Sequence, residues 1–331
     1  MSFSNATPYV ALDFPTMDQN GVAVVTAVVK ATFDILEDGR IVASEEPIPL
    51  RANDVPLDPD KPTGSLRVPT DLCVEKRGTD VIVVGEAIAR TPVKVMDVAV
   101  KVRNLTVPLR VHGERVFYQG ISDVSIGPAA SFERKQIVYE RAYGGMSEDF
   151  LVIEERNPAG VGVEKRKRDL IGRPAPQIEH PARPHKSAGD KHAPVGFGPI
   201  MTHWLPRRSY AGTFDEVWKE TRMPVMPRDF DVRHNNAAHP TLQLDEPLTR
   251  GDRVTIVGMT ESGLLSFEIP PWPVLIRARF DRSGKLIERP TIDTLIVYPA
   301  ERRFEVVMRK TFAAGRGQDV LREIQIDLDD V

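Results

Sequence analysis

Apolar and polar residues alternate with a period of two through much of the first 140 positions. In LTVPLRVH, Leu105, Val107, Leu109 and Val111 alternate with Thr106, Pro108, Arg110 and His112, which predicts a strand with one buried and one exposed face. VAVKVR before it alternates likewise. Turn residues fall between such runs: Asp38-Gly39 between ATFDIL and IVA, Arg77-Gly78 between LCVEK and DVIVVGEA, and Gly113 between PLRVH and RVFY. All three read as hairpin connections, so LCVEK reads as a strand with Cys73 as a small core hydrophobe. Pro108 lacks an N–H for a ladder and belongs at an edge or a bulge.

From about 141 to 250 the pattern changes. Eight prolines lie between Arg156 and Pro206, together with several glycines and the run KRKR at 165–168, and periodic apolar spacing is nearly absent. A loop this long inside a compact domain is functional or disordered. One short helix is predicted in GTFDEVWKETR, with Thr213 as N-cap and Glu216 as its reciprocal partner, running two or three turns before Pro224. After Gly251 strands return in RVTIVG, LLSFEI, PVLIRARF, TLIVYP and RFEVVMRKTF. The chain therefore divides into an N-terminal β region (1–140), an irregular motif-rich segment with a short helix (141–250) and a C-terminal β region (251–331) packing with the first. The expected fold is mainly β, with antiparallel sandwich-like sheets in one packed unit or two related lobes, and one or two short helices. VVKATF at 28–33 is similar to VMRKTF at 307–312, and DVIVVGEA to RVTIVGMT, as a remnant of duplication or as ordinary β sequence.

Composition narrows the functional classes. The 331 residues carry 44 basic and 47 acidic side chains, a formal net charge of -3, which offers no global field for nucleic acid or anionic lipid. No run is long and apolar enough for membrane insertion; VAVVTAVV at 22–29 is far too short. Cys73 is the only cysteine, and the first basic residue is Lys30, so neither an intrachain disulfide nor the positive region of a secretory signal is seen. A cytoplasmic location is expected.

The chain has no GxSxG elbow, GxxxxGKS/T loop, HExxH pair or GxGxxG after a strand, so no catalytic residue and no cofactor is assigned. Six of the seven histidines, His180, His185, His192, His203, His234 and His239, lie between 180 and 239, with His112 apart; with Asp190 or Asp229 they are the alternative basis for a metal-dependent hydrolase, although no pair has tight ligand spacing. KRKR reads as a solvated cluster, since no aromatic stacking residues lie nearby.

What remains looks structural and specific. Arg141 is multidentate, Tyr143 has a polar handle, Gly144-Gly145 permit a turn that side chains would block, Asn157-Pro158 begins a turn, and Gly160 and Gly162 extend it. Gln136 to Tyr143 reads as the last strand before that turn. Trp204, Trp218 and Phe230 are placed to pin the irregular segment onto a sheet, with Arg207 and Asp215 or Asp231 satisfying its polar groups.

The series TDLCVEKRGTDVIVVGEA, YERAYGG, RNPAGVG, GFGPI, HWLPRRSYAGTFDEVW and MPRDFDVRHNNAA, from about Lys30 onward, resembles the bacterial family named domain of unknown function 2169. The resemblance implies an adaptor, or chaperone, of the type VI secretion system. Such a protein holds a cognate effector in the cytoplasm by an N-terminal or hydrophobic segment and helps load it onto the VgrG spike or its PAAR tip. Arg141, Tyr143, Gly144, Gly145, Asn157, Pro158, Gly160, Trp204, Arg207, Gly212, Asp215 and Trp218 carry over as motif positions and partner-binding candidates, with no catalytic role implied. A structural component of the secretion machine is the remaining alternative.

Overall fold

Strand Ala23–Ile35 is buried on both faces over most of its length, so its sequence runs apolar where a half-exposed strand would alternate. In the computed structural model, which describes residues 1–61, 64–271, 273–317 and 319–329, it lies between Arg303–Ala313 and Val10–Met17 in a seven-stranded sheet. The order is Gln243–Leu244, Thr79–Val83, Thr291–Tyr298, Arg303–Ala313, Ala23–Ile35 and Val10–Met17, with Ile41–Ala43 also paired to Ala23–Ile35. A second sheet runs Ile178–Glu179, Leu105–His112, Val95–Val102, Arg253–Val257, Leu264–Glu268. A third contains Ser2–Asn5, Asp319–Leu328, Val274–Phe280 and Gly284–Glu288. Most pairs are antiparallel; Thr79–Val83 with Thr291–Tyr298, and Ser2–Asn5 with Asp319–Leu328, are parallel. The protein is mainly β, and one apolar core joins side chains of all three large sheets. Phe304 stacks between Phe33 of its own sheet, at 5.2 Å, and Phe267 of the second, at 4.5 Å.

The predicted strand Leu105–His112 is present, with Val107, Leu109 and Val111 buried. Its outer neighbour reaches only Arg110 and Val111, so Pro108 lies on an uncovered edge where a missing N–H costs no ladder bond. Asp38-Gly39 does make a hairpin. The other two turn signals do not. Thr79–Val83 pairs with Thr291–Tyr298 and Gln243–Leu244, never with LCVEK, and Phe117–Gln119 pairs with Val124–Ile126.

LCVEK is not a strand because its main chain bonds to side chains. Arg309 Nη1 donates to the Cys73 carbonyl (3.1 Å) and Thr311 Oγ1 to that of Val74 (2.5 Å). This segment covers the second face of the central sheet, where Lys30, Glu305, Arg309, Asp293 and Asp80 are all buried. Lys30 is held between Asp71 (3.0 Å) and Glu305 (2.5 Å); Arg51 also pairs with Glu305, Arg309 with Asp293, and Lys76 with Asp80 at 2.8 Å. Charges this deep persist only when paired. The similar segments VVKATF and VMRKTF lie side by side, Val29 opposite Met308, and their corresponding cations Lys30 and Arg309 are both buried.

Gln136 to Tyr143 is not one strand either. Strand Phe132–Gln136 ends, and Tyr139–Arg141 forms a 3-10 turn whose Glu140 carboxylate accepts bonds from the N–H (2.9 Å) and hydroxyl (2.8 Å) of Ser65. The single α-helix among the described residues, Glu216–Thr221, is capped by Asp215, which accepts from the Trp218 N–H at 2.8 Å. Thr213 is not its cap: it spends its hydroxyl (2.7 Å) and N–H (3.0 Å) on Asp229, and the helix stops after six residues.

Candidate functional site

The motif residues build two closed excursions and the cavity beside them. In the first, Asn157 is fully buried and its amide nitrogen donates to the carbonyls of Tyr139 (2.9 Å) and Tyr143 (3.0 Å), while its own carbonyl accepts from Gly145 N at 2.7 Å. Asn157-Pro158 opens a turn closed by Gly160 N at 3.2 Å, and Tyr143–Gly144 then runs parallel to Val161–Gly162. These chains pass so closely that a Cβ on Gly145, at φ +99°, would fall 2.5 Å from the Gly160 carbonyl, and one on Gly160 would collide with the Asn157 amide. Here glycine is required by both space and conformation. Arg141 is half-buried and bonds Gln177 at 3.1 Å; Tyr143 stacks on His185 at 5.3 Å.

What this clasp holds is a hairpin-like tip that the sequence analysis passed over. Met146 bridges Ile153, Ser147 N donates to Val152 O (2.8 Å), and Phe150, Leu151, Val152 and Ile153 are 69, 71, 37 and 45 % exposed. Phe150 sits at φ +57°, a conformation that bulky L-residues rarely adopt. Four consecutive apolar residues between Glu148-Asp149 and Glu154-Glu155 were the available signal, but such a run reads equally as a buried strand.

The second excursion spans Gly212 to Asp229. Gly212, at φ +83°, packs against Pro227 and Asp229 at its base. Trp218 is half-buried, donates Nε1–H to the Val225 carbonyl (2.8 Å) and meets Phe214 edge-on at 4.8 Å, while Phe214, Val217, Met223 and Met226 remain exposed. Trp218 therefore stiffens this arm and does not pin the segment to a sheet. The arm rests on the hairpin tip near Gly21, where Arg222 donates to the Gln19 carbonyl at 2.9 Å.

Between the excursions lies a small separate core of Tyr139, Ile200 and Trp204. Tyr139 is its hub: the ring meets Trp204 edge-on at 5.6 Å and stacks over His239 at 6.5 Å, and the hydroxyl donates to Gly198 O at 3.1 Å. Burial pushes its phenol pKa well up. Arg207 is buried as well, but Asp215 and Asp231 do not serve it. Its Nε donates to His234 O (3.1 Å) and Nη1 to Ile200 O (2.5 Å); Asp215 caps the helix and Asp231 pairs with Arg233. Beside this core is a cavity of about 420 Å³ floored by Tyr139, Ile200, Leu205 and Pro206. YERAYGG, ERNPAGVG, GFGPI, HWLPRR and RHNNAAHP, separate in sequence, each contribute a wall residue.

Glu179, buried in the short strand Ile178–Glu179, fastens the irregular segment to the second sheet. It accepts from His112 Nε2 (2.8 Å), Arg115 Nη2 (2.7 Å) and the His185 N–H (2.9 Å). Burial alone would raise its pKa; the bonds from His112 and His185 and the charge of Arg115 outweigh it and hold the carboxyl far below the usual range. Each residue of KRKR faces a carboxylate within 4 Å: Lys165 with Asp149, Lys167 with Asp123, Arg166 and Arg168 with Asp169. His185 and His192 meet edge-on at 5.0 Å, but among the described residues no group of three or more His, Cys, Asp or Glu side chains is arranged to hold a metal ion. No helix among the described residues is long and apolar enough to cross a membrane.

Fold and site together define a multi-sheet β protein whose long irregular segment is tied down by buried polar and aromatic residues and projects two apolar excursions. The chain belongs to the bacterial family described as "Uncharacterized protein conserved in bacteria (DUF2169)", whose model matches residues 20–309. No curated protein and no solved structure gives a significant match.

Proposed function

We propose that this protein is a non-enzymatic adaptor that binds a type VI secretion effector in the cytoplasm and hands it to the VgrG or PAAR spike. The observation that carries the reading is the exposed run Phe150-Leu151-Val152-Ile153, held away from the core on a clasp locked by Asn157. Apolar surface displayed this way marks a protein contact, and a base locked by Asn157 reduces the ordering cost of binding. The arm carrying Phe214, Val217, Met223 and Met226 supplies a second contact of the same chemistry. The family supports the reading only through the resemblance that links its motifs to such adaptors.

Co-expression with the effector encoded beside it, followed by affinity capture, tests the proposal. The two proteins should co-purify, and the double variant Phe150→Ser, Leu151→Ser should fold normally and lose the partner. No co-purification and no change in effector solubility would sink the reading; undiminished capture by the double variant would move the contact elsewhere.

A further inference from the structure

The cavity beside Tyr139 has a composition that the adaptor reading does not use. Its volume of about 420 Å³ falls in the range of roughly 300–1,000 Å³ occupied by ligand sites. Ile200, Leu205, Pro206 and Val195 make the interior apolar, yet the mouth gathers Arg183, His180, His192 and Arg156, and none of the described lining residues is acidic. Arg156 is already committed to Glu154 (2.6 Å), and His239 has one ring nitrogen on the Pro194 carbonyl (3.2 Å) and the other on Thr241. Arg183 is different: it is exposed and forms no ion pair among the described residues.

Arg183 and His180 sit on one tight turn, closed by Arg183 N donating to His180 O at 2.8 Å. His180 Nδ1 accepts from the Ala182 N–H (3.1 Å), which places the ring proton on Nε2 and makes that nitrogen a donor. A guanidinium fork beside an imidazole N–H matches the two oxygens of a carboxylate. A sugar or nucleotide phosphate would set polar atoms against Ile200 and Leu205 without partners.

We infer that this cavity binds a carboxylate that carries an apolar group, its hydrocarbon part against Ile200 and Leu205 and its oxygens on Arg183 and His180. The last residue of a peptide chain and a free medium-chain acid share that chemistry. The inference stands on the cavity alone: a partner captured through Phe150 with the cavity variants intact would leave it untouched, and the reverse also holds.

Fluorescence anisotropy with a labelled glycine-serine octapeptide ending in two leucines, its C-terminal amide, and decanoate as competitor separates the sources. The probes are compared on the full chain and on Arg183→Ala and Ala193→Trp, both changes at exposed positions on the cavity wall. The free peptide, decanoate or both should bind saturably. Amidation and Arg183→Ala should each weaken binding about ten-fold, the scale of a lost charge-assisted pair, and Ala193→Trp should abolish it by filling the mouth. Binding by the free peptide assigns a chain terminus; a saturable heat on titrating decanoate by calorimetry, with no peptide binding, assigns a free acid. Absence of saturable binding by either probe, equal binding of the amide, or unchanged binding to Ala193→Trp overturns the inference.

Discussion

Arg207 and His234 exchange hydrogen bonds. The Arg207 guanidinium donates to the His234 carbonyl at 3.1 Å, and His234 Nδ1 bonds the Arg207 carbonyl at 3.0 Å, which fixes the proton on Nδ1 because a carbonyl can only accept. Two 3-10 turns, Arg207–Tyr210 and Val232–Asn235, whose bonded residues are 27 positions apart, are thereby locked together without strand pairing. Burial lowers the Arg207 pKa, and carbonyl oxygens, not a carboxylate, satisfy the guanidinium. Arg207→Ala leaves those carbonyls without partners and should cost about 2–4 kcal/mol of unfolding free energy. Urea denaturation monitored by tryptophan fluorescence measures it; a loss below about 1 kcal/mol would show that this lock contributes little.

The clasp around Asn157 separates two substitutions that look equivalent in sequence. Gly145→Val must place a branched side chain at φ +99° against the Gly160 carbonyl and should destabilise by about 3 kcal/mol or prevent folding. Arg141→Ala removes one bond from a half-buried side chain and should cost about 1 kcal/mol. Comparing the two midpoints in one denaturant series checks the order; a reversal would place the joint at Arg141.

Phe150 is strained and exposed at once. Replacing it with glycine relieves the left-handed backbone and should raise stability by about 0.5–1 kcal/mol. The same change removes the largest apolar contact of the tip, so partner capture should weaken. A variant that is both less stable and equally able to bind would contradict both assignments.

Glu179 makes the attachment of the irregular segment sensitive to acid. The folded carboxyl binds its proton at lower pH than the unfolded one, so its stabilisation is complete above the unfolded pKa of about 4.3 and is lost as pH falls below that value. Glu179→Gln should cost about 3 kcal/mol at pH 7, since His112 and Arg115 lose a buried partner. The gap between wild type and variant should narrow by at least about 1 kcal/mol at pH 3. A gap independent of pH would place the depressed carboxyl elsewhere.

The strand at 105–112, the Asp38-Gly39 hairpin and the edge position of Pro108 were legible because each depends on neighbours in the chain. LCVEK was misread because the donors that satisfy its carbonyls, Arg309 and Thr311, are more than 230 residues away. The cap moved from Thr213 to Asp215 for a similar reason, since Asp229 claims Thr213 first. Among the candidate site residues, the glycines, Asn157, Trp204 and Arg207 form the bases of the excursions and the floor of the small core. The tips they hold escaped notice because exposure of an apolar run is a property of the folded molecule.

The Met146–Ile153 bridge has a consequence for how such a chain can change over generations. Everything that fixes the excursion lies at or outside that bridge, except the turn bonds of Ser147 and Asp149 and the ion pairs of Glu148 with Arg173 and Asp149 with Lys165. Residues 150–152 can therefore be exchanged, lengthened or shortened while Asn157 and its glycines go on folding as before, and a new specificity needs only a new tip in an old socket.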